Sequence, residues 1–403
     1  MNRLRNSFLN TLAQTSDAPM LLEFVRAEGI YLFDAENNRY FDLISGISVS
    51  NIGHRHPKVV SAIKNQVDSY MHLMVYGEYV QSPQVKLALK LKEELCRTEG
   101  VMLDSVYFVN SGSEAIEGAM KLAKRTTGRM NIVAFNKAYH GSTHGALSII
   151  GDEEFRNSFR PLLPDITHLE FNSLNDLNLI NSKTACVIVE TIQGEAGAIV
   201  GDKEFLKALR KRCTEVGALL IIDEIQTGFG RTGSLFSFTQ FGIIPDILCL
   251  AKGMGGGLPI GAFIASKKVM DNFKTNPVLG HITTFGGNAV CCAASLALIE
   301  VLLDEKWIEK VAAKEALFKK LLVHPSIKNI SGMGLLLAIE FESEEFNKKL
   351  ISSCIENKVI VDWFLFAGNK MRIAPPLTIS EEEIADACTL ILKSIDIILN
   401  QNN

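Results

Sequence analysis

Three stretches of this sequence place reactive or anion-binding groups where an apolar run ends. Asp223 follows five apolar residues, 218–222. A carboxylate there either reaches solvent or pairs with a buried cation, and a protonated ring nitrogen is one such cation. Lys252 ends the run DILCLA and enters the glycine-rich turn GMGGGLPIG. It is either a solvated loop lysine or an amine held in a crowded site, where it can form a Schiff base with a carbonyl. Ser111-Gly112-Ser113-Glu114 opens a helical pattern. Ser111 and Glu114 fit an S-x-x-E capping box, and free N–H groups at such a helix start also cradle phosphate.

These positions need a scaffold, and the apolar pattern supplies one. SVYFVN (105–110), NIVAF (131–135), ACVIVE (185–190), ALLIID (218–223), DILCL (246–250) and IGAFIAS (260–266) read as strands. Helical patterns at 112–127, 203–216 and 288–303 lie between or after them. Alternation of this kind predicts βαβ units and a mostly parallel sheet, and strands apolar throughout predict that both faces are covered. The polar groups Asn110, Glu190, Gln193, Glu195, Asp223, Gln226 and Lys252 collect after the carboxyl ends of these strands, where open α/β sheets bind ligands. The last hundred residues read as a smaller α+β domain, with helices near 307–322, 345–357 and 380–399 and strands near 334–341, 359–361 and 371–373. IYLFD and RYFDL form a hairpin expected to pack with that C-terminal part. The expected division is an N-terminal segment 1–45, a large domain 46–303 and a small domain 304–403.

Composition excludes several classes. Lys plus Arg is 41 against 45 Asp plus Glu in 403 residues, with no basic block, so nucleic acid is not an expected partner. No apolar run approaches a membrane span of ~20 residues, and MNRLRNSFLN lacks the apolar core of a secretory signal. The eight cysteines contain no CxxC and no zinc spacing with histidine, so no metal is expected and the thiols read as reduced core residues of a cytoplasmic protein. Gly228-Phe229-Gly230-Arg231-Thr232-Gly233 matches G-x-G-x-x-G, the basis of a remote reading as a nicotinamide-dependent oxidoreductase. The fingerprint must directly follow a strand and open a helix, and SLFSFTQFG is not helix-like.

Taken together, the motifs resemble those of class III, fold-type I, pyridoxal-phosphate-dependent aminotransferases. The likeness runs through DLISGISVSNIGHRHP (42–57), NSGSEAIEGAMKLAKR (110–125), AYHGST (138–143), ETIQGEAG (190–197), LLIIDEIQTGFGRTG (219–233) and PDILCLAKGMGGGLPIGA (245–262). It continues through TTFGGN (283–288), SGMGLLLAIE (331–340) and MRIAPPL (371–377), nearly the whole chain in order. It is nearest the acetylornithine, ornithine and 4-aminobutyrate branch. The resemblance implies an α/β PLP-transferase fold with a large, mostly parallel sheet domain and a smaller α+β domain.

It also implies roles. Lys252 matches the lysine that holds pyridoxal 5'-phosphate and shuttles the proton, Asp223 the partner of its pyridine nitrogen, and Gln226 the donor to its phenolic oxygen. Ile225 and Tyr139 match the residues flanking the ring, Ser111, Gly112 and Ser113 the phosphate cradle, and His140 and Glu190 further cofactor contacts. Thr284 matches a threonine that reaches the phosphate from a second subunit, which implies a homodimer with shared active sites. Arg372 resembles the arginine that grips a carboxylate bidentately, and Glu195 the glutamate that neutralises it when an ω-amino substrate binds. An amine donor and a 2-oxo acid would then alternate in a ping-pong cycle. One departure bears on the acceptor: Ser142 stands where acetylornithine- and ornithine-type members carry an arginine for the distal carboxylate of 2-oxoglutarate. Pyruvate and 2-oxoglutarate both stay open as acceptors. An aminomutase, racemase or decarboxylase of the same fold is the alternative reaction.

Overall fold

Residues 185–189 and 220–222 are apolar at every position, so a strand built from them must be covered on both faces. The computed structural model, which describes residues 3–401, covers them in this way. Seven strands form the central sheet: β1 (Ser105–Val109), β2 (Asn131–Phe135), β3 (Ile166–Leu169), β4 (Thr184–Glu190), β5 (Leu219–Asp223), β6 (Ile247–Leu250) and β7 (Gly261–Ala265). Their order across the sheet is β1-β7-β6-β5-β4-β2-β3. Pairings from β3 to β6 are parallel, and β7 runs antiparallel to both β6 and β1. The edge strand β3 escapes the sequence pattern because Thr167 and His168 interrupt its apolar run and only Leu169 is buried.

Helix α1 (Gly112–Thr127) leaves β1 and packs on the sheet so closely that a Cβ at Gly118 would lie 2.3 Å from the Phe263 ring. It ends at Gly128 in the left-handed conformation that a helix C-terminus favours. Helix α2 (Lys203–Val216) ends the same way at Gly217 before β5 begins. Helix α3 (Ala289–Asp304) follows β7 in the chain and packs against helices Pro57–Ser69 and Ser82–Cys96.

The C-terminal part builds a four-stranded antiparallel sheet in the order Asn329–Met333, Leu336–Glu340, Ala367–Ile373, Asp362–Phe364. Helices Val311–Leu321, Glu344–Glu356 and Glu381–Gln401 accompany it. Near the N-terminus, Tyr31–Asp34 and Arg39–Asp42 make the expected hairpin, extended by Phe24–Glu28. Arg39–Asp42 pairs in parallel with Val359–Ile360, so the two chain ends share a sheet.

The G-x-G-x-x-G segment does not open a helix. Instead Arg231 is fully buried and donates to the carbonyls of Leu335 and Pro375, to Ser45 Oγ at 3.1 Å and to Asn51 Oδ1 at 2.6 Å. The loop is a structural clamp joining the N-terminal segment to the strands around Arg372. Its glycines therefore serve packing and give no support to the oxidoreductase reading.

Candidate active site

Strand register brings the polar groups level. Asp223, the last residue of β5, sits beside Glu190, the last of β4, and beside Cys249 on β6. On the far side of β6, Gly261 at the start of β7 pairs with Val109 at the end of β1, which sets the Ser111–Ser113 helix start along the same edge. A cavity of about 460 Å³ opens there. Ser111, Gly112, Ser113, Tyr139, His140, Glu190, Asp223, Ile225, Gln226 and Lys252 all contribute to its lining. Asn110, expected at this edge, lines it too, and the sequence reading missed Val49, Thr227 and the turn 257–260. The run GLPIG was visible as a turn, but nothing in it marked a cavity wall.

The helix start is capped as expected on one side only. Ser111 Oγ accepts from Glu114 N at 3.2 Å, but the Glu114 carboxylate returns to Asn110 N and Asn110 Nδ2, each at 2.9 Å, and not to Ser111. The first N–H groups of α1 have no partner within the helix and face an anion by default. Gly141 sits against this turn at φ +124, and a Cβ on it would come within 2.1 Å of Ser113 Oγ.

Asp223 is held from two sides. Its Oδ1 accepts from Ile225 N at 3.0 Å, and its Oδ2 lies 2.7 Å from His140 Nδ1. Burial disfavours the imidazolium of His140, but the hydrogen bond and charge of Asp223, aided by Glu190, raise its pKa above the ordinary value. Glu190 accepts from Gly194 N at 3.1 Å and Tyr139 N at 3.4 Å, and burial pushes its pKa up to about 7. Lys252 adopts φ +44, a strained conformation for a residue with a side chain. Burial holds its amine below the ordinary pKa, Arg372 adds to this, and Glu195, Asp223 and Glu190 oppose it.

Beside Lys252 lies a second buried cluster. Arg372 Nη2 contacts both carboxylate oxygens of Glu195, at 2.9 and 2.7 Å, and its guanidinium lies over the Phe364 ring. Asp362 completes this cluster and was missed, although a carboxylate inside the apolar run VIVDWFLF was a usable signal. Two other expected residues stand apart from the cavity. Ser142 is exposed, with its Oγ 3.0 Å from the Tyr139 hydroxyl. Thr284 is exposed and does not contribute to the cavity lining in the single chain.

The residues fit pyridoxal phosphate. His140 Nε2 and Gln226 Nε2 are buried beside the cavity without a protein hydrogen-bond partner. A carboxylate, an amine of depressed pKa and an anion-binding helix start share one wall. Fold and cavity thus define a fold-type I enzyme that carries this cofactor.

The chain belongs to the class-III aminotransferase family, whose profile matches residues 12–395. It is 40% identical to the acetylornithine aminotransferase of Clostridium acetobutylicum, over 92% of this chain and 96% of the relative. It is 39% identical to that of Archaeoglobus fulgidus, over 91% and 94%. A solved ornithine aminotransferase from Toxoplasma gondii superposes with a TM-score of 0.91 at 30% identity, covering 99% of this chain and 95% of that one. An amine transaminase from an uncultivated Pseudomonas species, solved with PLP bound, gives 0.86 at 25% identity over 96% and 97%. The protein is a pyridoxal-phosphate-dependent transaminase.

Proposed function

We propose that the chain moves an amino group from an ω-amino acid or N-acylornithine-type donor to a 2-oxo acid, with one cavity serving both half-reactions. The observation that carries this is the buried pair of Arg372 and Glu195 beside Lys252. A neutralised arginine suits a donor whose reacting carbon bears no carboxylate. A released arginine grips the α-carboxylate of a keto acid in the fork geometry of guanidinium. Relatives named acetylornithine aminotransferases support such a donor and support transfer over the mutase, racemase or decarboxylase alternative.

Pyridoxal phosphate would supply the carbonyl that takes up the amino group and the ring that withdraws electrons from the substrate carbon. Lys252 would hold it covalently, and Ser111, Gly112 and Ser113 would bind its phosphate. Gln226 and His140, each with a buried nitrogen to satisfy, would donate to it. Asp223 would keep the ring nitrogen protonated, oriented for this by His140 and Ile225 N. Tyr139 and Ile225 would confine the ring. Once the substrate amine displaces it from the cofactor, Lys252 Nζ would carry the proton from the substrate carbon to the carbon that had been the cofactor's carbonyl, and its depressed pKa favours the neutral amine this needs.

The reading includes a homodimer with shared sites. Met71, Leu73, Val80, Ile282 and Phe285 are exposed, and Tyr76 N donates to Thr283 O, which ties the two segments into one apolar face beside Thr284. A face of that kind fits a second copy whose Thr284 reaches the phosphate. The reading also divides the chain into 1–45, 46–303 and 304–403, supported by the separate C-terminal sheet. It places the protein in the cytoplasm, supported by eight free cysteines of which seven are buried. Among the described residues no helix is long and apolar enough to cross a membrane.

The test is an absorbance spectrum of the purified holoenzyme titrated with acetylornithine, ornithine and 4-aminobutyrate. The expected result is a visible band lost in Lys252→Ala and bleached by one donor without a keto acid. A band that no amine bleaches would overturn the proposed donor class.

A further inference from the structure

We infer that Asp362 is a positioning residue for substrate recognition: a fixed counter-charge on Arg372 that stays in place when Glu195 moves. The inference rests on the switch reading of Glu195 and Arg372 given above.

The two carboxylates reach the guanidinium from unlike supports. Asp362 is the direct cross-strand partner of Arg372 in the antiparallel pair Asp362–Phe364 with Ala367–Ile373. Its side chain is therefore delivered to the same face by sheet register, and its Oδ1 lies 3.6 Å from Arg372 Nε. Both atoms are buried, and among the described residues neither has a hydrogen-bond partner, so the contact between them is an ion pair alone. Asp362 thus has a poorly solvated charge with Arg372 as its nearby cation, and burial raises its pKa to about 6 while Arg372 opposes that rise. Glu195 instead sits in the connection between the two-residue strands Ile192–Gln193 and Ile199–Val200. Among the described residues it is tied by Leu365 N to its carboxylate at 3.2 Å and Phe366 N to its carbonyl at 3.0 Å, besides Arg372.

The consequence concerns the open state. A buried arginine stripped of its only anion is strongly unfavourable. With Asp362 in place, departure of Glu195 leaves Arg372 still paired on its Nε edge. That arrangement makes opening easier and leaves Nη2 for the incoming carboxylate. It also caps the grip on that carboxylate, because the cation is already shared. Removing Asp362 alone should change little, since Glu195 then tightens its hold by about as much as a substrate carboxylate gains. The effect of Asp362 emerges when Glu195 is absent.

This asymmetry sets the experiment, a double-mutant cycle of Glu195→Gln, Asp362→Asn and the combination, assayed as holoenzymes. KM and kcat are measured with acetylornithine as donor and with pyruvate and 2-oxoglutarate as acceptors. Binding of isovalerate, a carboxylate without a keto group, is measured by calorimetry. D362N alone should leave acceptor KM within about twofold. E195Q should lower acceptor KM and reduce donor turnover in part, because Asp362 neutralises Arg372 only in part. The double variant should bind isovalerate and the acceptor about tenfold more tightly than E195Q and lose donor turnover. Equal values for E195Q and the double variant would overturn the role of Asp362. An unchanged acceptor KM in E195Q would instead overturn the switch reading beneath it. Asp362→Ser in both backgrounds repeats the comparison should the asparagine variants fail to fold.

Discussion

His140 Nδ1 and Asp223 Oδ2 lie 2.7 Å apart, both side chains buried, at the end of the strand that leads into the cavity. The imidazole fixes one carboxylate oxygen while Ile225 N fixes the other. Asp223 therefore has no rotational freedom to lose when it meets a cationic ring nitrogen. Asp223→Ala should lower kcat by about 10²–10³-fold, the scale for removing one preorganised electrostatic contact. His140→Asn acts only through Asp223 and His140 Nε2, so its loss should be smaller, about tenfold. Stopped-flow absorbance of the donor half-reaction, with bound cofactor quantified beforehand, separates these losses from poor cofactor loading.

Stability should fall between pH 6.5 and 8. Burial raises the pKa of Glu190 to about 7 and of Glu224 to about 8, from 4.5. The folded chain then holds these protons longer than the unfolded chain, so rising pH through that range destabilises it. Burial lowers His168 and His281 to about 4 from 6.5, which gives the opposite slope between those values. Up to pH 6.5 the two histidines offset the two glutamates, while Asp362, raised to about 6 from 3.8, adds a loss below that, and the glutamates act alone from there to about pH 8. The unfolding midpoint of the holoenzyme should drop by roughly a few degrees over this interval. Glu224→Gln should flatten the slope, and scanning fluorimetry at closely spaced pH values reads it directly.

The large sheet was legible because parallel strands buried on both faces leave unbroken apolar runs, as at Thr184–Glu190 and Leu219–Asp223. The edge strand Ile166–Leu169 was not, since a half-exposed strand of four residues has no such run. Asp223, Lys252 and the Ser111–Ser113 turn were readable from position alone, each at the end of an apolar segment. Asp362 was visible only as a carboxylate inside an apolar run, because its pairing with Arg372 follows from register, and register is set by tertiary pairing. The buried Arg231 shows what the set-aside glycine-rich match does instead of binding a nucleotide: the loop brings four acceptors around one guanidinium.

The exposed face containing Phe285 offers a sharp test of assembly. The His72 ring lies against Phe285 in a tilted pair, 5.1 Å between ring centroids, yet Phe285 remains 57% exposed. Phe285→Glu places a charge in the middle of this face, where burial against a second copy would be prohibitive. The variant should sediment as a monomer at micromolar concentration and, on the shared-site reading, lose nearly all turnover with the partner's proposed Thr284 contribution. A monomeric variant with full activity would contradict the shared-site reading, and sedimentation velocity run beside the activity assay distinguishes the cases.

The departure at Ser142 gives a test of acceptor choice. Its Oγ sits 3.0 Å from the Tyr139 hydroxyl and is exposed, so the position tolerates a longer side chain. A serine hydroxyl offers one donor and no charge, whereas a guanidinium offers a bidentate ion pair to a distal carboxylate. Pyruvate has no such carboxylate and should be indifferent to the change. Ser142→Arg should therefore raise kcat/KM for 2-oxoglutarate relative to pyruvate by about tenfold. If the wild type already prefers 2-oxoglutarate strongly and the substitution leaves that ratio unmoved, the distal carboxylate is held elsewhere. Competing the two keto acids in one reaction and quantifying alanine against glutamate gives the ratio without separate fits.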